Sequence, residues 1–200
     1  MSKYIGPKIK IYKKIGIYLN KKIKSKNLTK KYKKKNINYK NKVTEYCIRL
    51  KEKQKLKKNY YLFEKQFFNY YKKSIKYKNS EEKLFQLLEM RLDNIVSKIG
   101  ISKTILGSRQ FINHKFILIN NKIVNIPSYI LKVNDVITIH NKFKLNNSFN
   151  MLLKSYNKNI NWININIKNN NFSAEIISIP KVTDINKNIN FNLIRELYSK

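Results

Sequence analysis

The sequence predicts an α+β protein. A mainly helical, strongly basic N-terminal domain is expected to precede a small α+β unit of two helices packed on a short antiparallel sheet. Three observations carry that expectation. Apolar residues recur at three- and four-residue steps between Tyr60 and Ile99, which marks helices with one buried face. From Phe116 the pattern shortens to runs of three or four apolar residues separated by turn residues, which marks strands. Charge is also uneven. Residues 1–80 hold 27 Lys and Arg against three acids, a net +24, while residues 81–200 hold 17 against eight, a net +9.

Residues 1–42 read as an extended basic arm. Gly6, Pro7 and Gly16 punctuate it, and Lys21 to Lys42 is almost all Lys, Asn and Tyr. Alone such a segment buries too little to fold, and it is expected to order against a polyanion. Residues 43–90 form the helical domain. Thr44 is placed to cap a helix running to about Lys58. Tyr60, Phe63, Phe67, Tyr70 or Tyr71, and Ser74 then mark one stripe, with Lys65, Lys72, Lys73 and Lys76 around the rest of the circumference. A base-stacking platform is conceivable for this stripe, but helical spacing favours core. Residues 80–99 read as one long helix, with Ser80 as N-cap, Glu81 and Glu82 in the first turn, and Gly100 as the stop.

The second domain spans 91–141. A shorter helix from Ser102 to about Asn113 is followed by Phe116–Ile119, a two-residue turn at Asn120-Asn121, and Ile123-Val124. Asn is the best residue after Gly for the positive φ of a type I′ turn. Pro127 and Ser128 open a loop, and Val136–Ile139 is another strand. Residues 142–192 read as an Asn/Lys-rich extension, interrupted by Trp162-Ile163 and Ile165. Residues 193–200 hold a short amphipathic element expected to pack with the helical domain.

The formal net charge of +33 on 200 residues makes a polyanion the natural partner. Forty of the 44 basic residues are Lys, with 30 Asn and 31 Ile beside them. These residues share A/T-rich codons, so the bias reads first as the imprint of an A/T-rich genome. The four Arg (Arg49, Arg91, Arg109 and Arg195) stand out against it, because a guanidinium makes forked contacts that an ammonium cannot. A single cysteine and two histidines leave no internal disulfide and no Cys-rich zinc site. No nucleophile, His and acid are set out as a catalytic group, and four Gly leave no phosphate-cradling loop. The expectation is therefore no enzyme, no metal, no cofactor, no small-molecule substrate and no membrane.

From Arg91 the chain reads RLDNIVSKIG, then SRQFINHKFILINNKIVNIPSYILKVNDVITI. This resembles the RNA-binding domain named after small-subunit ribosomal protein S-four. The landmarks Arg91, Leu92, Asp93, Arg109, His114, Asn120, Pro127, Ser128, Tyr129 and Asp135 fall in order over about fifty residues. MSKYIGPKIKIYKKIG, the basic helices before Arg91, and LIRELYSK extend the likeness across nearly the whole chain, to bacterial and plastid members. Ile105 stands where the family has an Arg, Asn121 replaces the hairpin Gly, and the zinc-binding cysteines of some members are absent.

The resemblance implies a structural constituent of the small ribosomal subunit. It would bind small-subunit rRNA at a junction in the 5′ domain, nucleate assembly, and lie near the mRNA entrance beside the S-three and S-five proteins, contributing to accuracy. Recognition would be of shape and backbone. The residues expected on rRNA are Lys8, Lys10, Lys13 and Lys14 in the arm; Arg49, Lys53, Lys55, Lys57, Lys58, Lys72 and Lys73 in the helical domain; and Arg91, Lys103, Arg109, Gln110, His114, Lys115, Lys122, Ser128 and Tyr129 in the second domain. For Arg91 an internal ion pair with Asp93 competes evenly with an RNA contact, and for Tyr129 loop packing competes with stacking. An RNA-modifying enzyme or a tRNA synthetase fragment using the same domain is the alternative, but the flanks hold no catalytic motif. The setting expected is an organellar ribosome, most readily a plastid such as an apicoplast, with a mitochondrion or an A/T-rich bacterium as alternatives.

Overall fold

The structure, a computed structural model, describes residues 44–102, 104–140, 160–168, 171–181 and 189–199. The chain divides into two compact units, one formed by residues up to Asn59 together with those from Asn188 onward, the other by Tyr60–Lys187.

In the first unit, helix α1 (Glu45–Asn59) starts at Thr44, whose Oγ1 accepts the Cys47 amide at 3.4 Å. The C-terminal helix α6 (Phe191–Tyr198) packs on α1. Its apolar face is real: Phe191 and Ile194 are buried, as is Leu56 of α1. Arg49 forks between the two helices, donating to Glu196 at 2.7 Å and to Glu45 at 2.9 Å.

The second unit begins with α2 (Glu64–Ile75), α3 (Ser80–Glu89), α4 (Leu92–Lys98) and α5 (Ile105–Asn113). The aromatic stripe of α2 is core: Phe67, Tyr70, Tyr71 and Ser74 are buried. The expected single helix over 80–99 is two helices, and Asn79 rather than Ser80 stands before the first. The break has a tertiary cause. Arg91 is extended and bridges Ile130, the Leu131 amide donates to Met90 O, and the amides of Leu92 and Asp93 donate to the carbonyls of Tyr129 and Pro127. Backbone groups that a continuous helix would pair internally are taken by a loop about 35 residues on. The next helix also starts later than expected, at Thr104, whose Oγ1 accepts the Gly107 amide at 3.0 Å.

Strands β1 (Ile117–Ile119), β2 (Lys122–Ile123), β3 (Val136–Ile139), β4 (Ile163–Lys168) and β5 (Asn171–Ile176) form one antiparallel sheet in the order β2-β1-β3-β5-β4. Asn120 and Asn121 have φ of 49° and 63°, as a two-residue type I′ turn requires. The β4–β5 hairpin is an addition to the expected sheet, in a stretch read as an Asn/Lys-rich extension. Its side chains nevertheless alternate: Ile163, Phe172, Ala174 and Ile176 are buried. They join Ile117, Ile119, Ile137 and Ile139 on one face, against Leu92, Ile95, Val96 and Ile99 of the α4 segment and Ile112 of α5. Fully burying such a side chain is worth roughly 1.5–3 kcal/mol, so this one layer of aliphatics fixes where α4 and α5 sit.

Candidate nucleic-acid interface

In the second unit the fold turns three carboxylates inward. Glu89, Asp93 and Asp135 are buried. Glu89 accepts from the Tyr60 hydroxyl at 2.7 Å and from Asn94 Nδ2 at 2.6 Å, and pairs with Lys98 Nζ at 2.6 Å. Burial first, and then the Glu89 carboxylate, push the Tyr60 hydroxyl well above its ordinary range. Asp135 accepts from Asn120 Nδ2 and from the Lys132 amide, while Asn120 Oδ1 accepts the Val136 amide, so the hairpin tip is pinned to β3. Glu89 and Asp93 are thus paired with cations of the protein itself, and Asp135 is satisfied by neutral donors. Lys65, Lys72, Lys73, Lys76, Lys78, Lys115, Lys122 and Lys132 remain exposed, which leaves the surface positive.

Asp93 is the centre of this interior chemistry, with a side chain only 1% exposed. Arg91 donates to both of its oxygens, at 3.0 and 2.8 Å, and Arg109 donates to Oδ2 at 2.7 Å. Arg91 also donates to the Tyr70 hydroxyl at 2.7 Å, and Arg109 to the carbonyls of Tyr61 and Tyr60 at 3.0 and 2.9 Å. Burial works against the Arg91 charge, but the Asp93 hydrogen bond and charge more than offset it, so its pKa is raised. Of the two expectations for Arg91, the internal ion pair is the one the structure contains. The guanidinium does not lie on the surface open to RNA. Arg109 is also engaged internally: each of its three nitrogens donates to an acceptor of the protein, while its side chain stays 22% exposed.

The exposed edge of α5 carries Gln110, Asn113 and His114 at helical spacing. The His114 ring stacks on Phe116, with centroids 5.8 Å apart and planes 14° apart. Lys115 follows in the left-handed region at φ 62°, which turns the chain into β1. Val124 returns to Ile117, so Lys122, paired opposite Ile119, lies about 7 Å farther along the hairpin. Ser128 is half-buried and Tyr129 exposed, and the carbonyls of Pro127 and Tyr129 fill the N-terminus of α4. Lys72 is exposed on α2 over the Phe68 ring at 4.7 Å, next to exposed Lys73.

In the first unit, Arg49 is committed to Glu45 and Glu196. Lys53 lies over the Tyr198 ring at 5.2 Å and Lys55 pairs with Glu52 at 3.5 Å. Lys57 and Lys58 are half-buried, and desolvation, then the Lys57 charge, lower the Lys58 pKa. Lys8, Lys10, Lys13, Lys14 and Lys103 lie outside the described residues. Residues the sequence reading gave no role are Lys132 on the surface, half-buried Tyr61 and buried Glu89, and for Tyr60 and Tyr70 it gave packing alone, without their polar contacts. Among the described residues no three His, Cys, Asp or Glu come together as metal ligands, and no helix is long and apolar enough to cross a membrane.

A family model described as the Ribosomal protein S4/S9 N-terminal domain matches residues 3–89, and one described as the S4 domain matches residues 90–137. The chain is 38% identical to the small ribosomal subunit protein uS4 of Hahella chejuensis and 36% identical to that of Legionella pneumophila, in each case across all of both chains. It is 41% identical to the small ribosomal subunit protein uS4c of Euglena longa, over all of this chain and 99% of the relative.

Proposed function

Because the chain belongs to the small ribosomal subunit protein uS4 family, we propose that it is a structural constituent of the small ribosomal subunit, binding small-subunit rRNA and catalysing no reaction. The observation that carries this reading is the inward turn of Glu89, Asp93 and Asp135, which leaves an exposed surface dominated by lysine on a chain of net charge +33. Such a surface neutralises phosphates and releases their counterions. The contacts we assign to rRNA in the second unit are Lys72, Lys73, Gln110, His114, Lys115, Lys122, Ser128 and Tyr129. Because the Arg side chains are taken up internally, the phosphate contacts there are point-charge contacts from Lys rather than forked ones.

The finer reading is a seat at a 5′-domain junction, bound early in assembly, near the mRNA entrance and beside the S-three and S-five proteins. Likeness to a plastid-type relative and the A/T-driven composition support a plastid ribosome. The test is binding of the full chain to a 5′-domain rRNA fragment across a salt series. With six or more phosphate contacts, affinity should fall about a thousandfold or more between roughly 50 and 200 mM salt. No binding at the low end, or binding indifferent to salt, overturns the proposal.

A further inference from the structure

The Asp93 cluster joins segments that are distant in sequence. Tyr60, Tyr61 and Tyr70 lie within the part matched by the N-terminal family model, and Arg91, Asp93 and Arg109 lie within the part matched by the S4 domain. One carboxylate gathers two guanidinium groups. One of these reaches the hydroxyl of Tyr70 on α2, and the other reaches two successive carbonyls in the turn leading into α2. Tyr61 in that turn has φ 50°, an uncommon conformation for a bulky side chain, which persists only where the surroundings hold it. Tyr60 is gripped at both ends, its carbonyl by Arg109 and its hydroxyl by Glu89. Lys cannot replace either Arg here, because each makes contacts in three directions from a planar fork.

We infer that Arg91 and Arg109 act on rRNA binding without touching RNA. They are positioning residues that lock α2, through Asp93, to the α4–α5 segment, so that Lys72 and Lys73 meet the RNA in fixed register with His114, Lys115 and Lys122. This rests on the rRNA-binding reading above. Its physical benefit is preorganisation: two groups of cations held in one frame bind without a further ordering cost.

The test uses the full chain and a 5′-domain rRNA fragment, with Arg109→Gln, Arg109→Lys and the milder Tyr70→Phe. Amide hydrogen exchange without RNA should quicken at least tenfold over residues 60–71 in both Arg109 variants, and detectably in Tyr70→Phe. Affinity for the fragment should fall about tenfold in both Arg109 variants, although Arg109→Lys keeps the positive charge. In a double-mutant cycle, the cost of Lys72→Gln/Lys73→Gln should shrink at least threefold in the Arg109→Gln background, because the register is already lost. A change in stability alone does not move that coupling when the protein is folded.

Unchanged exchange over 60–71 overturns the lock whatever happens with RNA. So does full rescue by Arg109→Lys, since an ammonium that restores affinity makes Arg109 a phosphate ligand. Strict additivity in the cycle overturns the positioning role. If the unmodified chain does not bind the fragment, the function reading fails, while the exchange data still decide the lock.

Discussion

Replacing Asp93 by Asn should be among the most damaging isosteric changes available in this protein. The amide fills the same space, and the backbone donation to Pro127 O is untouched. What changes is the charge between two guanidiniums. The carboxylate accepts three charge-assisted hydrogen bonds, at 3.0, 2.8 and 2.7 Å, in a site where its side chain is 1% exposed and that of Arg91 is 4% exposed. An Asn offers one acceptor oxygen and turns its NH2 toward an N–H donor. Arg91 keeps its proton, because an arginine cannot shed it to escape burial. Removing one partner of a buried ion pair costs about 3–5 kcal/mol, a large part of the roughly 5–15 kcal/mol that holds a domain together. With a urea dependence of about 2 kcal/mol per molar, the midpoint should drop by about 2 M. Trp162 is the chain's one tryptophan and is buried in the core of this unit, so its fluorescence reports the transition. Asp135→Asn is the internal comparison. That carboxylate accepts only from neutral donors, Asn120 Nδ2 and the Lys132 amide, and should lose about 1.5–3 kcal/mol. A loss under about 1 kcal/mol for Asp93→Asn would falsify the view that an unpaired buried guanidinium dominates the cost.

Two further outcomes are expected. Tyr60→Phe should cost about 1.5–3 kcal/mol near neutral pH, where the hydroxyl donates to Glu89. Because the folded-state pKa of Tyr60 lies above the ordinary 10.0, its contribution is complete below that value and is lost as pH rises through the folded pKa. The gap between wild type and Tyr60→Phe in urea melts should therefore narrow from pH ~8 to pH ~11, and a constant gap contradicts the assignment. Thr104→Ala removes the acceptor for the Gly107 amide at the start of α5 and should cost about 1 kcal/mol by the same melts, while an unchanged midpoint rules out the cap.

The alternation from period 3.6 to period 2, the Asn120-Asn121 turn and the excess of Lys are local or additive properties, and they were legible without a structure. The helix break at Met90–Arg91 was not, because both sides keep an apolar face and only the loop at Pro127–Leu131 supplies the competing partners. The β4–β5 hairpin was obscured because Asn, a poor strand former, occupies outward positions of β4, while the inward Ile163 and Ile165 needed β5, itself paired to β3, to pack beside.

The amino-acid sequence by itself determined the sign and size of the charge, the α+β class and the family landmarks. Tertiary structure decided which charged groups face inward. Arg109 and Lys115 look alike as candidate phosphate ligands along the chain, yet one guanidinium closes on Asp93 and two carbonyls while Lys115 stands at the surface. The reason is physical: net charge sums over residues wherever they lie, whereas the destination of a single charged side chain depends on which acceptors the fold carries to it from dozens of residues away.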